Sequence, residues 1–492
     1  MNLRQENERL KQENAELRGQ LQDAERRLQD AERRIQDAER RIQELSVRLN
    51  QDSSNSNWPS SRDKSRAKRQ KRTRSLRKKS GKKAGGQKGH KGHTLEFSDQ
   101  PDVIERHRPT QCEHCQAPFS EEQHRVALDK RQVYDLPPLD LIVCEHQAET
   151  LICAHCGEMT MGAFPEEVKA PVQYGPRVQQ LAVYLRTEQF VPYKRSRQLL
   201  ADLFGAYLST GTLQTMVRKA STRLKEAVEA IKEGLTASEV VHFDESGFYI
   251  KGKRHWLHTA GTPQLTLYFP HERRGKKATD AMGVLPAFPG TAVHDFWSAY
   301  RQYTQCSHSL CNAHHLREFT AVVENDGQRW AQHFKSFLVS AKHTVEKAQA
   351  EGRTSLPQEK IEQIERLYSK LIEAGLNANP PPAEGWPRGK RGRGKKTKAR
   401  NLVERLDKYR QEALAFVYDF KVPFDNNLAE RDIRMLKVQQ KISGTFRSQL
   451  GAEDFCTIRS YTSTMRKQGI NSWAALGSVF SADLMLPQTI PE

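Results

Sequence analysis

The chain has 492 residues, too many for a single hydrophobic core, so we expect three or more folded units. Its hydrophobic content of 36% and mean hydropathy of −0.78 are low for a fully globular chain and indicate long polar or helical extensions. No run of about 18 apolar residues is present, which excludes a membrane-spanning helix. The first residues carry no apolar signal core, so we expect a cytoplasmic protein whose eight cysteines are thiols or metal ligands rather than disulfides.

The net charge of +19 is concentrated in one segment. Residues 62–91 carry fifteen Lys or Arg and one acid, which leaves only +5 for all the other residues. Such a block favours a polyanionic partner, most simply nucleic acid, and a solvated disordered linker is compatible with the same pattern. Four lysines lie among the glycines at its end, where the backbone can approach a phosphate closely, and we assign them DNA contacts: Lys82, Lys83, Lys88 and Lys91.

The N-terminal segment has a heptad pattern that predicts one helix over residues 3–49. Apolar residues recur seven apart at Leu21, Leu28, Ile35, Ile42 and Leu49, and Leu or Ala fills the intervening d positions. The repeat "LQDAERR" puts Glu at e and Arg at g, and two Asn at a favour a two-stranded, fixed register. We predict a coiled-coil zipper over 1–50 that forms a homodimer or higher oligomer. A single solvated helix is the alternative.

A flexible basic linker is expected over 51–93, followed by a zinc-binding domain over 94–169. That domain contains two CxxC pairs, which together supply the four thiolates of a tetrahedral site for one structural Zn²⁺: Cys112, Cys115, Cys153 and Cys156. Because 37 residues separate the pairs, we expect a β-ribbon, with short strands around Pro137 and Pro138, to bring them together. Other residues could substitute as ligands (His114, Cys144, His146 and His155), and unliganded thiols are the alternative.

Residues 170–236 have a helical period. One helix is predicted to end near Gly205 and the next to begin with Thr210 as its cap. Six apolar residues would form the core of this pair: Leu199, Leu200, Phe204, Leu208, Leu213 and Val217. The pattern fits a DNA-binding helix-turn-helix as well as it fits an ordinary helical hairpin. In the former, the second helix presents three polar residues to DNA: Gln214, Arg218 and Lys219.

The segment 237–320 alternates like a set of strands, and two of the predicted strands finish at an aspartate. "EVVHFDESGFYI" places Asp244 at the end of the first strand, and "GTAVHDFWSAY" places Asp295 at the end of the fourth. A helical segment with a basic loop at 388–400 is expected over 321–421, including one helix at 402–420.

The remainder, 422–492, begins with a helix whose first turn holds Glu430. Asn427 could cap this helix, with Glu430 as its capping-box partner. Phosphodiester chemistry with two metal ions needs carboxylates that converge. Glu430 is therefore a candidate ligand together with the two strand-end aspartates.

Several motifs together resemble one enzyme family: "GGQKGHKGHTL", the paired CxxC segment, "HFDESG", "HDFWSAY", "CNAHHLREF" and "DNNLAERDIRMLKVQQKISGTFRS". The chain closely resembles the DDE transposases of bacterial insertion sequences of the insertion sequence 66 family. This resemblance implies a multidomain protein with an α/β ribonuclease-H-like catalytic core in two parts, 237–320 and 422–492, and a helical insertion between them. It also implies that Asp244, Asp295 and Glu430 are catalytic and bind two Mg²⁺, with Mn²⁺ as a substitute.

The implied partners are double-stranded DNA, as terminal inverted repeats and as target, and element-encoded accessory proteins, in the bacterial nucleoid. We assign further DNA contacts to four residues of the last motif: Arg431, Arg434, Lys441 and Arg447. Cys311 and His314 match a CxxH element found after the second aspartate in several transposase groups. We interpret both, with Asn427, as structural support of the site, and a second zinc site as the alternative. His315 and Leu316 depart from the Trp and Arg-Arg that the family commonly has.

The function predicted from the sequence is therefore metal-dependent cleavage at the element's 3′ ends followed by strand transfer. A nuclease of the same fold that does not join strands is one alternative. A zipper-and-zinc DNA-binding regulator with an inactive core is the other.

Overall fold

The computed structural model of the protein describes residues 3–51, 55–56, 95–122, 124–381 and 396–489. The chain divides into two compact units. One is formed by Met1–Thr73, Pro171–Ser196 and Ser209–Glu492, and the other by Arg74–Ala170 and Arg197–Leu208. The basic block at 62–91, with its four assigned lysines, and most of the predicted basic loop lie outside the described residues. Within the described ranges, no helix is long and apolar enough to cross a membrane.

A single helix, α1 (Leu3–Leu49), forms the N-terminal segment, as the heptads predict. Its a-position side chains from Leu21 to Leu49 are 59–67% exposed, so an apolar stripe runs along the helix surface. An apolar stripe of this kind is normally covered by a partner helix. Pairing through α1 remains a prediction.

The unit that contains residues 95–170 has one short hairpin, β1 (Thr150–Ile152) with β2 (Met159–Met161), paired antiparallel. The turn of this hairpin holds the second CxxC pair, and an isolated antiparallel bridge between Gln111 and Pro118 encloses the first. The strands predicted around Pro137 and Pro138 do not form, since the described residues from 124 to 149 contain no strand. The alternation there occurs without a pairing strand among the described residues.

Four helices precede the main sheet: α2 (Pro176–Thr187), α3 (Tyr193–Phe204), α4 (Thr210–Arg223) and α5 (Lys225–Ala237). Gly205 follows α3 with φ of +61°, a conformation that glycine adopts without steric cost. The predicted cap of α4 is wrong by one residue. Ser209 has the extended backbone of an N-cap and its hydroxyl accepts from the Thr212 N–H at 3.0 Å, so Thr210 is the first helical residue.

The core of the larger unit is a five-stranded mixed sheet in the order β5-β4-β3-β6-β7. Its strands are β3 (Val240–Ile250), β4 (Lys253–Gly261), β5 (Thr266–His271), β6 (Thr291–His294) and β7 (Ser307–Leu310). β3, β4 and β5 form an antiparallel meander, whereas β3, β6 and β7 run parallel. The strands predicted between residues 239 and 310 are thus confirmed, but Asp244 lies in the middle of β3 rather than at its end.

Helices follow the strands on the chain. They are α6 (Lys276–Met282), α7 (Asn312–Asp326), α8 (Arg329–Ala350), α9 (Gln358–Ala378), α10 (Lys398–Lys408), α11 (Arg410–Ala413), α12 (Ala415–Tyr418), α13 (Asn427–Ser443), α14 (Gln449–Lys467) and α15 (Ser472–Val479). The single helix predicted at 402–420 is wrong, because breaks at Tyr409 and Leu414 divide it into α10, α11 and α12.

Separate apolar clusters hold these layers together. Helices α7 to α12 share one core, which includes Phe319, Phe334 and Tyr368. On the sheet, Val241 and Phe243 of β3 belong to a cluster with α5, whereas Phe248 belongs to another with α13 and α14. Because side chains alternate along a strand, Asp244 shares the face of Phe248, on which α13 packs.

Candidate active site

Asp244 and Asp295 lie at the end of the parallel part of the sheet. The pairing of β3 with β6 ends at His242 opposite Val293, so Asp244 comes two residues after the strands separate. Asp295 directly follows β6. The carboxyl ends of parallel strands meet at one edge of a sheet, and this topology brings the two aspartates to the same edge although 51 positions separate them in the sequence.

The electrostatics of Asp244 show which acids surround it. Burial raises the pKa of Asp244 well above its usual range, and the negative charges of Glu245, Asp295 and Glu430 raise it further. Burial likewise raises the pKa of Asp295, although its Oδ1 accepts from the Trp297 N–H at 2.9 Å. Four carboxylates therefore share a small region and repel one another.

Glu430 lies in the first turn of α13, as predicted, but the capping box is wrong. Asn426 occupies the N-cap position, and the Asn427 N–H donates to Asp425 Oδ1 at 3.0 Å. The Glu430 carboxylate points elsewhere: its Oε1 accepts from Arg317 at 3.5 Å and lies 4.0 Å from His314 Nδ1.

Asn426 is the residue that ties the start of α13 to the sheet. Its Nδ2 donates to the Phe243 carbonyl at 2.7 Å, and its Oδ1 accepts from His242 Nδ1 at 2.8 Å. Its backbone N–H donates to Cys311 Sγ at 3.2 Å. The side chain is buried, so these bonds fix Glu430 relative to β3, next to Asp244.

Glu245 is a buried acid beside the site that the sequence analysis did not single out. Its carboxylate accepts from Arg274 at 2.6 and 2.9 Å and from the Tyr300 hydroxyl. Burial, together with the charge of Asp295, raises the pKa of Glu245 to about 7. The available signal was the pair of consecutive acids in an otherwise apolar strand, since alternation sends one of them to each face.

Arg274, the partner of Glu245, also contacts two aromatic rings. Its guanidinium lies 4.9 Å from the ring centre of Trp256 and 4.4 Å from that of Trp297, close enough for cation–π attraction. A cavity of about 220 Å³ opens beside it, with walls that include Arg274, Asp295, Phe296, Trp297, His314 and Arg405. Cationic and aromatic side chains thus surround the mouth of an acidic site.

Cys311 and His314 also lie at this site. Among the described residues, one group of three potential metal ligands has its donor atoms within 4.8 Å of one another: Cys311, His314 and Glu430. Burial, with the charges of Arg317 and Arg405, lowers the pKa of His314 to about 3, so its imidazole is neutral. Burial raises the pKa of the Cys311 thiol to about 12.

The two CxxC pairs have the same local backbone. Cys112 N–H donates to the Ala117 carbonyl and Gln116 N–H to the Cys112 carbonyl; Cys153, Gly157 and Glu158 repeat the pattern. Hydrogen bonds from Cys115 lower the pKa of Cys112, and those from Cys156 lower the pKa of Cys153. The lowered pKa values favour the thiolate form of each first cysteine, but within the described residues no three of these four thiols come within 4.8 Å of one another.

The residues assigned to DNA differ in their surroundings. Arg431, Arg434 and Lys441 are exposed along one side of α13, and Arg447 is exposed just beyond it. Arg218, in contrast, donates to Asp454 at 2.8 and 2.9 Å, which neutralises its charge.

Lys219, although exposed, donates to Gln179 at 3.0 Å and lies over the ring of Phe480. Arg218 and Lys219 therefore both have internal partners, whereas Gln214 of the same helix is exposed. The exposed cations of α13 are better placed for phosphate.

The chain was compared with known proteins and protein families. No curated protein matches the chain. The model of the transposase IS66 family matches residues 171–454, more than half of the chain, and this match covers the whole sheet and includes Asp244, Asp295 and Glu430. The chain therefore belongs to the transposase IS66 family.

Proposed function

We propose that this transposase binds the terminal inverted repeats of its insertion sequence, cleaves at their 3′ ends and joins those ends to target DNA. One observation carries the proposal: Asp295 and Glu430, from distant parts of the chain, both act electrostatically on Asp244. Two aspartates from the sheet and a glutamate from α13, close together, are the arrangement that the family resemblance implies for a DDE site. The five-stranded order supports a ribonuclease-H-like fold for this core.

The donor set fits a hard divalent cation. Carboxylate oxygens are the ligands that Mg²⁺ prefers. Burial, and then repulsion by the neighbouring carboxylates, raises the pKa of Asp244, and a bound cation relieves that repulsion. Asp244, Asp295 and Glu430 would hold the ions, two per site, with Mn²⁺ as a substitute. When bound, such ions polarise the scissile phosphate and the attacking oxygen.

The residues of the chain supply the remaining functions. Asn426 holds the first turn of α13 against β3 and so orients Glu430. Arg431 and Arg434 project from the same helix and can bind phosphates near the scissile bond. In strand transfer the 3′-hydroxyl attacks a target phosphodiester, so that one P–O bond forms as another breaks and the displaced oxygen leaves as a new 3′-end.

The other assigned parts have supporting roles in this proposal. The zipper of α1 pairs two chains, so that both ends of an element are held together. One structural Zn²⁺ bound by the two CxxC pairs orders the unit that contains residues 95–170. The basic block at 62–91 binds DNA without regard to sequence, because its lysines and arginines release counterions from phosphates.

A strand-transfer assay tests the proposal. Full-length protein is mixed with labelled terminal-repeat DNA, plasmid target and Mg²⁺, and the products are separated by size. We expect labelled ends joined to plasmid, and no cleaved or joined product from Asp295→Asn. Cleaved ends without joined product would indicate a nuclease instead, and DNA binding without any cleavage would indicate a regulator.

A further inference from the structure

Cys311 and His314 lie at the same end of α7. Cys311 is the N-cap residue and His314 comes three positions later, so their side chains lie on one side of the helix start. Glu430 reaches the same place from the first turn of α13. The contact between the two helix starts is direct, because the Asn426 N–H donates to Cys311 Sγ.

The distances between the three donor atoms are slightly longer than those in a tetrahedral metal site. All three donor atoms lie within 4.8 Å of one another, and His314 Nδ1 is 4.0 Å from Glu430 Oε1. Bonds of about 2.0–2.3 Å to a tetrahedral Zn²⁺ put its donors roughly 3.3–3.8 Å apart. Side-chain movements of less than about 1 Å would therefore bring all three into coordination.

His314 also has a buried nitrogen whose hydrogen-bonding capacity is unsatisfied. Its Nδ1 is buried and has no hydrogen-bond partner among the described residues. A buried ring nitrogen without a partner is costly and needs an explanation, which a metal ion would provide. Packing alone explains the burial of the ring but not the orientation of this atom toward a carboxylate.

We propose that Cys311, His314 and Glu430 form a binding site for a zinc ion, distinct from the two CxxC pairs. A thiol, an imidazole and a carboxylate together select a borderline-soft ion such as Zn²⁺ over Mg²⁺. Three protein ligands leave a fourth position open, and Cys311 and His314 both line the cavity, which gives the ion a route of entry. The thiol is protonated in the free site, so zinc binding there releases a proton.

Glu430 would then belong to two sites that exclude each other. A carboxylate bound to zinc between α7 and α13 is withdrawn from Asp244 and Asp295, so zinc opposes Mg²⁺ and holds the enzyme inactive. This antagonism rests on the proposed function. The zinc site itself does not.

Metal binding by the full-length protein tests the site. Protein stripped with a chelator is titrated with Zn²⁺ against a chromophoric chelator, and with Co²⁺, whose bonds to thiolate absorb in the near ultraviolet. We expect Cys311→Ser and His314→Phe to bind one equivalent fewer than the wild type. Glu430→Gln should weaken that equivalent by about tenfold or more, since even loss of a group that only orients a ligand costs this much.

Cys456→Ser is the matched control, because Cys456 is a buried thiol in a different cluster, and it should keep the wild-type stoichiometry. Thermal unfolding of each variant shows whether it is folded. Folded Cys311→Ser and His314→Phe proteins with unchanged zinc stoichiometry and affinity would overturn the proposal.

The same titration with Mg²⁺ present separates the two claims. Weaker zinc binding in millimolar Mg²⁺ supports a shared Glu430. Zinc binding that needs all three residues but ignores Mg²⁺ keeps the zinc site and overturns the antagonism, whereas the role of Glu430 in the Mg²⁺ site is tested separately by DNA cleavage.

Discussion

Two neighbouring asparagines at the start of α13 have opposite roles. Asn426 is buried and bonded to His242, Phe243 and Cys311, whereas Asn427 is exposed. The backbone N–H of Asn427 is held by Asp425, so its own side chain is not needed for the cap. The position of Glu430 therefore depends on Asn426.

Replacing Asn426 should damage both stability and activity. Asn426→Ala leaves His242 Nδ1 and the Phe243 carbonyl buried without these partners, and each such loss costs about 1–3 kcal/mol. We expect a lower thermal unfolding midpoint and slower DNA cleavage. Asn427→Ala is the control and should change neither. Equal behaviour of the two variants would contradict this account of α13.

Glu188 gives a stability prediction with a defined pH dependence. It is buried and accepts from Arg459, Arg466 and, at 2.6 Å, the Thr462 hydroxyl. Burial alone would raise the pKa of Glu188, but the charge of Arg459, with the Thr462 hydrogen bond and Arg466, lowers it overall. A lowered pKa means that the charged form stabilises the fold above the unfolded pKa, near 4.3, and that this stabilisation is lost as pH falls through the folded pKa.

Glu188→Gln should therefore lower the unfolding midpoint at pH 7, because it leaves the buried Arg459 charge without its partner, at a cost of about 3 kcal/mol. The difference from wild type should shrink in acid. Glu346→Gln, which removes an exposed pair with Lys342, should cost no more than about 0.5 kcal/mol. A Glu188→Gln midpoint equal to that of wild type at pH 7 would refute the ion-pair account.

Local sequence could not distinguish Asn426 from Asn427. Both are good capping residues, and the capping-box pattern selects the second. The structure selects the first because three bonds to β3 and α7, all remote in sequence, hold it. The acid beside Asp244 was missed for the same reason, since only the fold brings Arg274 and Tyr300 to Glu245.

At the scale of the element, α1 carries the prediction about assembly. Its a positions from Leu21 to Leu49 are exposed and apolar, so a lysine at one of them should disrupt a paired seam. We expect Ile35→Lys to raise the dimer dissociation constant by about tenfold or more. Gln36→Lys adds the same charge at a neighbouring b position and should leave assembly unchanged. Sedimentation at micromolar concentration measures both, and a monomeric wild type would contradict the zipper.

The CxxC turns carry a prediction about zinc. Each turn lowers the pKa of its first cysteine, which favours the thiolate that zinc requires. Cys112→Ser and Cys153→Ser should each lose the same single equivalent of zinc, in addition to the one assigned to Cys311. Metal analysis of freshly purified protein measures this, with Cys306→Ser as the control. Equal zinc content in Cys153→Ser and wild type would rule out the shared site.

Helices and strands were predicted correctly where the period of the apolar residues reflects their burial. β3 to β7 were predicted because alternating apolar residues face a core, and α1 was predicted because its apolar residues recur with a heptad period. It failed at residues 132–149, where alternation occurs without a pairing strand, and at 402–420, where breaks at Tyr409 and Leu414 interrupt a helical period.

At the scale of the whole molecule, the site depends on chain segments that are far apart. In the sequence, residues 312–381 and 396–418 come between the sheet and α13 and form helices with their own core, yet the charge of Glu430 still acts on Asp244. The positions of the three acids in predicted elements made them candidates, and the resemblance to the family implied the set. The sequence could not predict what brings these acids together, namely the hydrogen bonds of Asn426 to β3 and the point at which β3 and β6 separate.

Cleavage and joining by Glu430→Gln show whether the Glu430 carboxylate acts in catalysis. Gln keeps the shape of Glu and removes its charge, and Glu430 makes no capping bond that could confuse the result. In Mg²⁺, we expect this variant to bind terminal-repeat DNA and unfold at the wild-type midpoint, but to yield no cleaved or joined product. Glu453→Gln, an exposed acid on α14, should behave as wild type. Joined products formed by Glu430→Gln at the wild-type rate would contradict the account.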